Sequence, residues 1–219
     1  MNKVLPIVTI LFLILIISGN NLAQQSNNDS WNLRITAQYG YPLGSNDWEY
    51  SHPFYTGTGV QTINETGTFN AKSVWGFGVE LSKGYFGINA NAGIIPSEII
   101  INKSGEQYNF KSGEQYNFNS IFLEIEGIFF PISNTTDFVI PLLKIGGGGM
   151  TSNGDLNNNA LFFSLSGGAR TYFTEKFGVS LMIKGRHITY DEIPMDENVT
   201  GDISFTNFAI EFQLVYTLL

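Results

Sequence analysis

The most reactive side chains cluster toward the C-terminal part of the chain. His187-Ile-Thr189 puts an imidazole two positions from a hydroxyl, and Asp191 and Glu192 follow directly. A base beside a hydroxyl, with a carboxylate to orient the base, is the set that acyl transfer uses. One histidine near one hydroxyl is also an ordinary pairing at a strand end, and the residues favour that reading, so no catalytic residue is assigned. Asp191, Glu192, Asp196, Glu197 and Asp202 supply oxygens of the kind that bind Ca²⁺. Gly201 falls too late for an EF-hand loop, so the cluster reads as a solvated acidic surface. The remaining histidine, His52, has no comparable company.

A second set of charges is more regular. Arg34, Lys144, Arg170, Lys184 and Arg186 are basic; Glu80, Glu124, Glu126 and Glu211 are acidic. All nine lie in segments that alternate apolar and polar residues, and all fall on the polar side. That alternation is the period of a β-strand with one buried face. Trp31–Tyr41 is the clearest case, with Trp31, Leu33, Ile35, Ala37, Tyr39 and Tyr41 opposite Asn32, Arg34, Thr36 and Gln38. The pattern recurs over 73–82, 85–94, 120–130, 138–149, 161–173, 177–190 and 208–219. In 138–149, Ile140 and Leu142 share the side of Lys144 and blur the pattern.

Eight such segments predict eight antiparallel strands. The links alternate: 42–72, 95–119, 150–160 and 191–207 are long, whereas 82–84, 131–137 and 174–176 are short. Long outer loops, tight turns and strands of ~10 residues are the pattern of an up-and-down transmembrane β-barrel. A soluble barrel also alternates, but it turns its charges outward. Here the polar side is mostly Gly, Ser, Asn and Thr, which suits a narrow lumen. Trp31, Phe86, Phe129, Phe173, Phe177 and Tyr216 lie beside the short turns, where an interfacial aromatic girdle belongs. In an eight-stranded barrel the side chains fill the interior. The nine charges are therefore expected to form an ion-paired network plugging a closed lumen.

Composition narrows the remaining choices. The chain has 219 residues, of which 14% are charged and 14% aromatic, with 24 Gly and no Cys. The absence of Cys excludes disulfides, thiolate metal sites and a cysteine nucleophile. A net charge of −8 argues against a nucleic-acid partner. Met1-Asn2-Lys3 followed by the apolar run Val4–Ile17 reads as a signal peptide over 1–23, which leaves 24–219 as a barrel domain in an exported protein. No cofactor or metal is expected.

The signal peptide, Ile145-Gly-Gly-Gly-Gly149, Phe163–Phe173 and the final strand Phe208–Leu219 together resemble the small eight-stranded outer-membrane barrels, the OmpA-, OmpX- and OmpW-like proteins. The resemblance covers essentially the whole mature chain, as a pattern rather than a motif. It implies residence in the bacterial outer membrane, with membrane lipid, lipopolysaccharide and the barrel-assembly machinery as partners. The ending Tyr216-Thr-Leu-Leu219 departs from the terminal Phe usual in the family. Some outer-membrane barrels deacylate lipid A with a His-x-Ser pair, but Thr189 stands where that pair has serine. The expected role is structural or surface-interacting, without enzymatic activity. Passage of small solutes or hydrophobic compounds is the alternative, and lipid A modification ranks below both.

One segment adds nothing to chemistry but bears on topology. KSGEQYNF occurs twice in succession, as Lys103–Phe110 and Lys111–Phe118. An eight-residue insertion preserves strand parity, and a loop absorbs added length at low cost. The two copies are expected to lie in the second outer loop, with Glu106–Phe110 pairing against Glu114–Phe118.

Overall fold

The computed structural model describes residues 30–56, 59–103, 115–131, 139–155, 158–196 and 199–218. For 48–56, 59–65, 101–103, 191–196 and 199–202 it describes the backbone alone. The expected signal peptide, residues 1–23, lies outside the described residues.

Among the described residues ten strands follow in order: β1 (Asn32–Pro42), β2 (Asn46–Thr56), β3 (Gly59–Ala71), β4 (Val74–Lys83), β5 (Phe86–Lys103), β6 (Gln115–Phe129), β7 (Ile140–Gly154), β8 (Asn159–Tyr172), β9 (Phe177–Asp196) and β10 (Val199–Thr217). Eight of them, β1 and β4 to β10, pair antiparallel with their neighbours. The ring closes where β10 meets β1, with Tyr39 opposite Phe212 and Arg34 opposite Thr217. This is the expected eight-stranded barrel. Lys83 and Phe86 are joined by a two-residue turn in which Gly84 takes φ 58°, a left-handed value that glycine adopts without steric cost.

The barrel wall turns its apolar face outward. Phe77, Ile88, Leu123, Leu161 and Ile183 are exposed, Phe77 at 70%, while the inward-pointing Glu80 is fully buried. At the turn side, outward aromatic rings pair across strands: Phe86 with Phe129 at 5.5 Å and Phe177 with Tyr216 at 4.7 Å. Lys83 lies 5.9 Å over the Trp31 ring. Paired rings at the base of an apolar band match the girdle of a membrane barrel.

The loop side differs from the sequence expectation. All four stretches expected as long loops are largely strand among the described residues; in 150–160, β7 runs to Gly154 and β8 starts at Asn159. β5 and β6 continue together to Ile100 and Gln115, β9 and β10 run to Asp196 and Val199, and β2 and β3 form an added hairpin. β3 takes over from β4 along β5, pairing Ala71 with Ser97 and Phe69 with Ile99. The result is a collar standing on the membrane-spanning ring. The acidic residues Asp191, Glu192, Asp196 and Asp202 therefore lie on the strands β9 and β10 rather than in an outer loop.

The physical reason is an inversion of polarity. In the membrane-spanning ring, apolar side chains face out and polar ones face in. In the collar, Phe69, Ile95, Ile99, Phe118, Ile203 and Phe205 face in, while Asn117, Asn119, Ser204 and Thr206 face out. Period two persists through the boundary, but the membrane signature stops there.

The doubled octapeptide needs a related correction. Residues 104–114, which hold most of the first copy and the start of the second, lie outside the described residues. The second copy does not pair as expected: Gln115–Phe118 runs against Ser97–Ile100 of β5. Phe118 is 3% exposed within the collar core.

Candidate functional site in the barrel lumen

The barrel interior is layered. On the turn side, Ile128, Phe130, Leu142 and Met182 form a small apolar cluster. On the loop side, a larger cluster includes Phe69, Phe118, Phe122, Phe162, Tyr190 and Phe205. Between them lie Arg34, Glu80, Glu124, Glu126, Lys144, Arg170, Lys184, Arg186 and Glu211, each buried to within 8% exposure. Parity places all nine inward, and the antiparallel register brings them to similar depth.

They fall into two linked groups. Arg170 grips Glu80 with two parallel bonds, Nη1 to Oε1 at 2.7 Å and Nη2 to Oε2 at 2.6 Å. Its Nε donates to Ser180 Oγ at 2.9 Å. Arg34, the cross-strand neighbour of Glu80, reaches Oε1 at 2.9 Å and also donates to Ser82. The second group centres on Lys184, whose Nζ lies 2.7 Å from Glu124, 2.7 Å from Glu126 and 3.9 Å from Glu211. Arg186 bonds Glu211 at 2.5 Å and lies 3.6 Å from Glu124. Lys144 lies 3.5 Å from Glu126 and donates to Gln213 at 3.3 Å.

Arginine stacked on aromatic rings joins the charged layer to both apolar layers. Arg170 lies 5.8 Å over Phe130 on the turn side, and Arg186 lies 5.6 Å over Phe122 on the loop side. Both distances fall within cation–π range. The charged heads thus meet rings, not bare hydrocarbon.

Two glycines make room for this layer. A methyl at position 148 would overlap the Leu123 carbonyl oxygen and come within 2.9 Å of Glu124 Cα. At position 146 it would sit 2.9 Å from Glu126 Cγ. Both residues point inward, and at both the first obstacle is a β6 backbone carbonyl (Ile125 or Leu123), so the glycine run lets β7 lie close against the β6 segment that carries the two glutamates.

Neutral partners of the charges escaped the sequence reading. Asn89 and Asn91 donate to Glu126 Oε2 at 3.0 and 2.8 Å, and Ser164 donates to Glu124 at 2.6 Å. Parity alone could have found them, since each shares an inward face with a charged residue. The inward aromatics Phe122 and Phe162 were readable in the same way.

The candidate hydrolytic pair does not assemble. His187 Nδ1 lies 3.1 Å from Thr206 Oγ1, and Thr189 Oγ1 lies 2.9 Å from Ser204 Oγ. Each side chain is engaged by its own cross-strand hydroxyl on β10. The side chains of Asp191, Glu192, Asp196, Asp202 and His52 are not among those described, and Glu197 lies outside the described residues. Among the described residues, no group of three or more His, Asp or Glu could hold a metal ion.

No protein-family model and no curated protein matches the chain. Solved structures with a similar course include the outer membrane protein OprG from Pseudomonas aeruginosa, with 10% identity, a TM-score of 0.49, and coverage of 85% of this chain and 95% of that one. AlkL, an outer membrane protein solved in lipid bilayers, gives 11% identity and a TM-score of 0.47, covering 91% and 95%. Neisserial surface protein A gives 9% and 0.38, covering 85% and 99%. The class follows from the barrel's own closure and surface. Eight strands close on themselves, an apolar band faces out, and charges are paired inside. Together these define a small membrane-spanning β-barrel of the outer-membrane type.

Proposed function

We propose that the chain is a bacterial outer-membrane barrel with a closed lumen and a structural or surface-interaction role. The observation that carries this reading is the ion-paired layer held between two apolar layers. Ions crossing the lumen would have to break buried pairs and pass packed aromatic rings. The collar then presents strands and loops to the exterior, where adhesion or envelope contacts are made. Membrane lipid, lipopolysaccharide and the barrel-assembly machinery are its expected partners, and no catalytic role is assigned. Refolded protein in a planar bilayer is expected to show no steady conductance. A stable open channel would overturn the closed-lumen reading.

Passage of small solutes is the second reading, favoured by one observation. Thr36 Oγ1, Gln38 Nε2, Ser166 Oγ and Gln213 Nε2 are buried in the lumen with no hydrogen-bond partner among the described residues. Buried polar atoms are nearly always matched, by protein or by water. A hydrated thread along β1, β10 and β8 would match them, and the same conductance measurement tests it.

A further inference from the structure

At the level of Phe69 and Phe205 the collar wall has a seam between β2 and β10. At its level β3, β5 and β6 share ladders, the wall continues through β7 and β8 to β9, and β9 pairs with β10. β1 ends at Pro42, opposite Ala209. Above that point no ladder joins β10 to β2 among the described residues, although the two strands come within 8 Å. At the base of this line one backbone bond crosses, from Leu43 N to the Phe208 carbonyl at 2.8 Å.

Side chains cross the seam instead. Phe69 of β3 stacks on Phe205 of β10, with ring centroids 4.0 Å apart and planes at 29°. Phe205 stacks on Tyr190 at 6.1 Å, Tyr190 meets Phe118 edge-on at 6.1 Å, and Phe118 returns to Phe69 at 6.3 Å. The four rings form a closed circuit across the collar. Beside it the Tyr190 hydroxyl lies 3.0 Å from Ser120 Oγ, which is 2.8 Å from Ser152 Oγ.

We propose that the Phe69–Phe205 stack is a clasp, and that the collar opens and closes along the β2–β10 seam. The other three ring contacts link strands already joined through continuous ladders. The stack instead reaches from β3, one strand in from the edge strand β2, across the seam to β10. An aromatic pair contributes far less than a continuous ladder, so this line is where the wall parts first. Opening would expose the Tyr190–Ser120–Ser152 hydroxyls to the exterior. The proposal rests on the closed-lumen reading, because it names the element that holds the outer end shut.

The chain has no cysteine, so Ser120→Cys introduces a single thiol. Ser120 is 1% exposed. The folded protein, verified by heat-modifiable migration, is treated with a membrane-impermeant maleimide. Modification is expected to be slow in the otherwise native chain. It should be about tenfold faster with Phe205→Ala, the effect of ~1.4 kcal/mol on an opening equilibrium. Phe122→Ala removes a buried ring within intact ladders and should leave the rate near the parent's. If Phe205→Ala does not fold, Phe205→Leu takes its place with a smaller acceleration. A slow parent with no acceleration in the seam variant overturns the clasp and leaves the closed lumen standing. Equal acceleration by Phe122→Ala also overturns the clasp. Rapid modification of the parent overturns both readings.

Discussion

Arg170 and Glu80 meet across the full width of the barrel. They lie on β8 and β4, which are opposite strands of the eight-membered ring, and are joined by two bonds of 2.6 and 2.7 Å. Arg170→Ala would leave Glu80 buried with Arg34 as its basic partner in direct contact. Breaking a buried pair typically costs about 3–5 kcal/mol. The variant should convert from its folded to its unfolded gel species at a lower temperature than the parent. Arg34→Ala should cost less, because Arg170 still engages both oxygens of Glu80. The double variant Arg170→Met with Glu80→Leu should recover most of the loss, since apolar replacement of a whole buried pair is often neutral.

Much of this architecture was legible from alternation. All eight barrel strands, the inward set of nine charges and the outward aromatics at the turns follow from period two and residue polarity. The collar was not legible by the same rule, because Ile95, Ile99 and Phe118 reverse the polarity of the faces at the membrane boundary. A search for apolar-outward strands stops there, although pairing continues to Ile100 and Gln115. The β2–β3 hairpin was missed because 42–72 holds no sustained alternation: Pro53 interrupts Trp48–Phe54, and Val60 and Ile63 fall on opposite parities. Which charge grips which depends on the antiparallel register, and one chain read alone does not supply that register.

The polarity boundary gives a positional prediction on one strand face. Leu123 and Asn119 both point outward from β6, Leu123 within the apolar band and Asn119 in the collar. Leu123→Arg should impair insertion, by about 2–4 kcal/mol if the site is near the bilayer midplane. Asn119→Arg should insert like the parent. Folding yield into liposomes, read by gel migration, checks the pair. Equal loss at both positions would move the membrane boundary up into the collar.

Glycines 148 and 149 should answer differently to the same methyl group. A Cβ at 148 overlaps the Leu123 backbone, whereas at 149 its nearest neighbours lie 3.8 and 3.9 Å away. Gly148→Ala is expected to destabilise the barrel by roughly 1–3 kcal/mol through overpacking. Gly149→Ala should be neutral or slightly stabilising, since it restricts the unfolded chain. Denaturant titration in micelles measures both. Matching losses would mean that the methyl acts through strand propensity and not through the crowding beside Glu124.

The doubled octapeptide supplies the remaining prediction. Removing residues 103–110 keeps Gln115–Phe118 and so keeps the register against Ser97–Ile100. Ile100 and Gln115 would then be joined by residues 101, 102 and 111–114, a link long enough to close a hairpin. Lys111 would follow Asn102 as Lys103 does now, so the local sequence beside β3 is also preserved. The shortened chain should fold and migrate as the parent does, because loop closure changes by only ~0.6 kcal/mol per doubling of length. Removing residues 111–118 yields the same sequence and cannot serve as a control. Phe118→Asp is the informative contrast, since it puts a charge into the apolar collar core while leaving both copies at full length. That variant should lose stability in denaturant titration while the deletion does not. Loss of folding in the deletion would mean that residues 103–110 contribute to the collar wall itself.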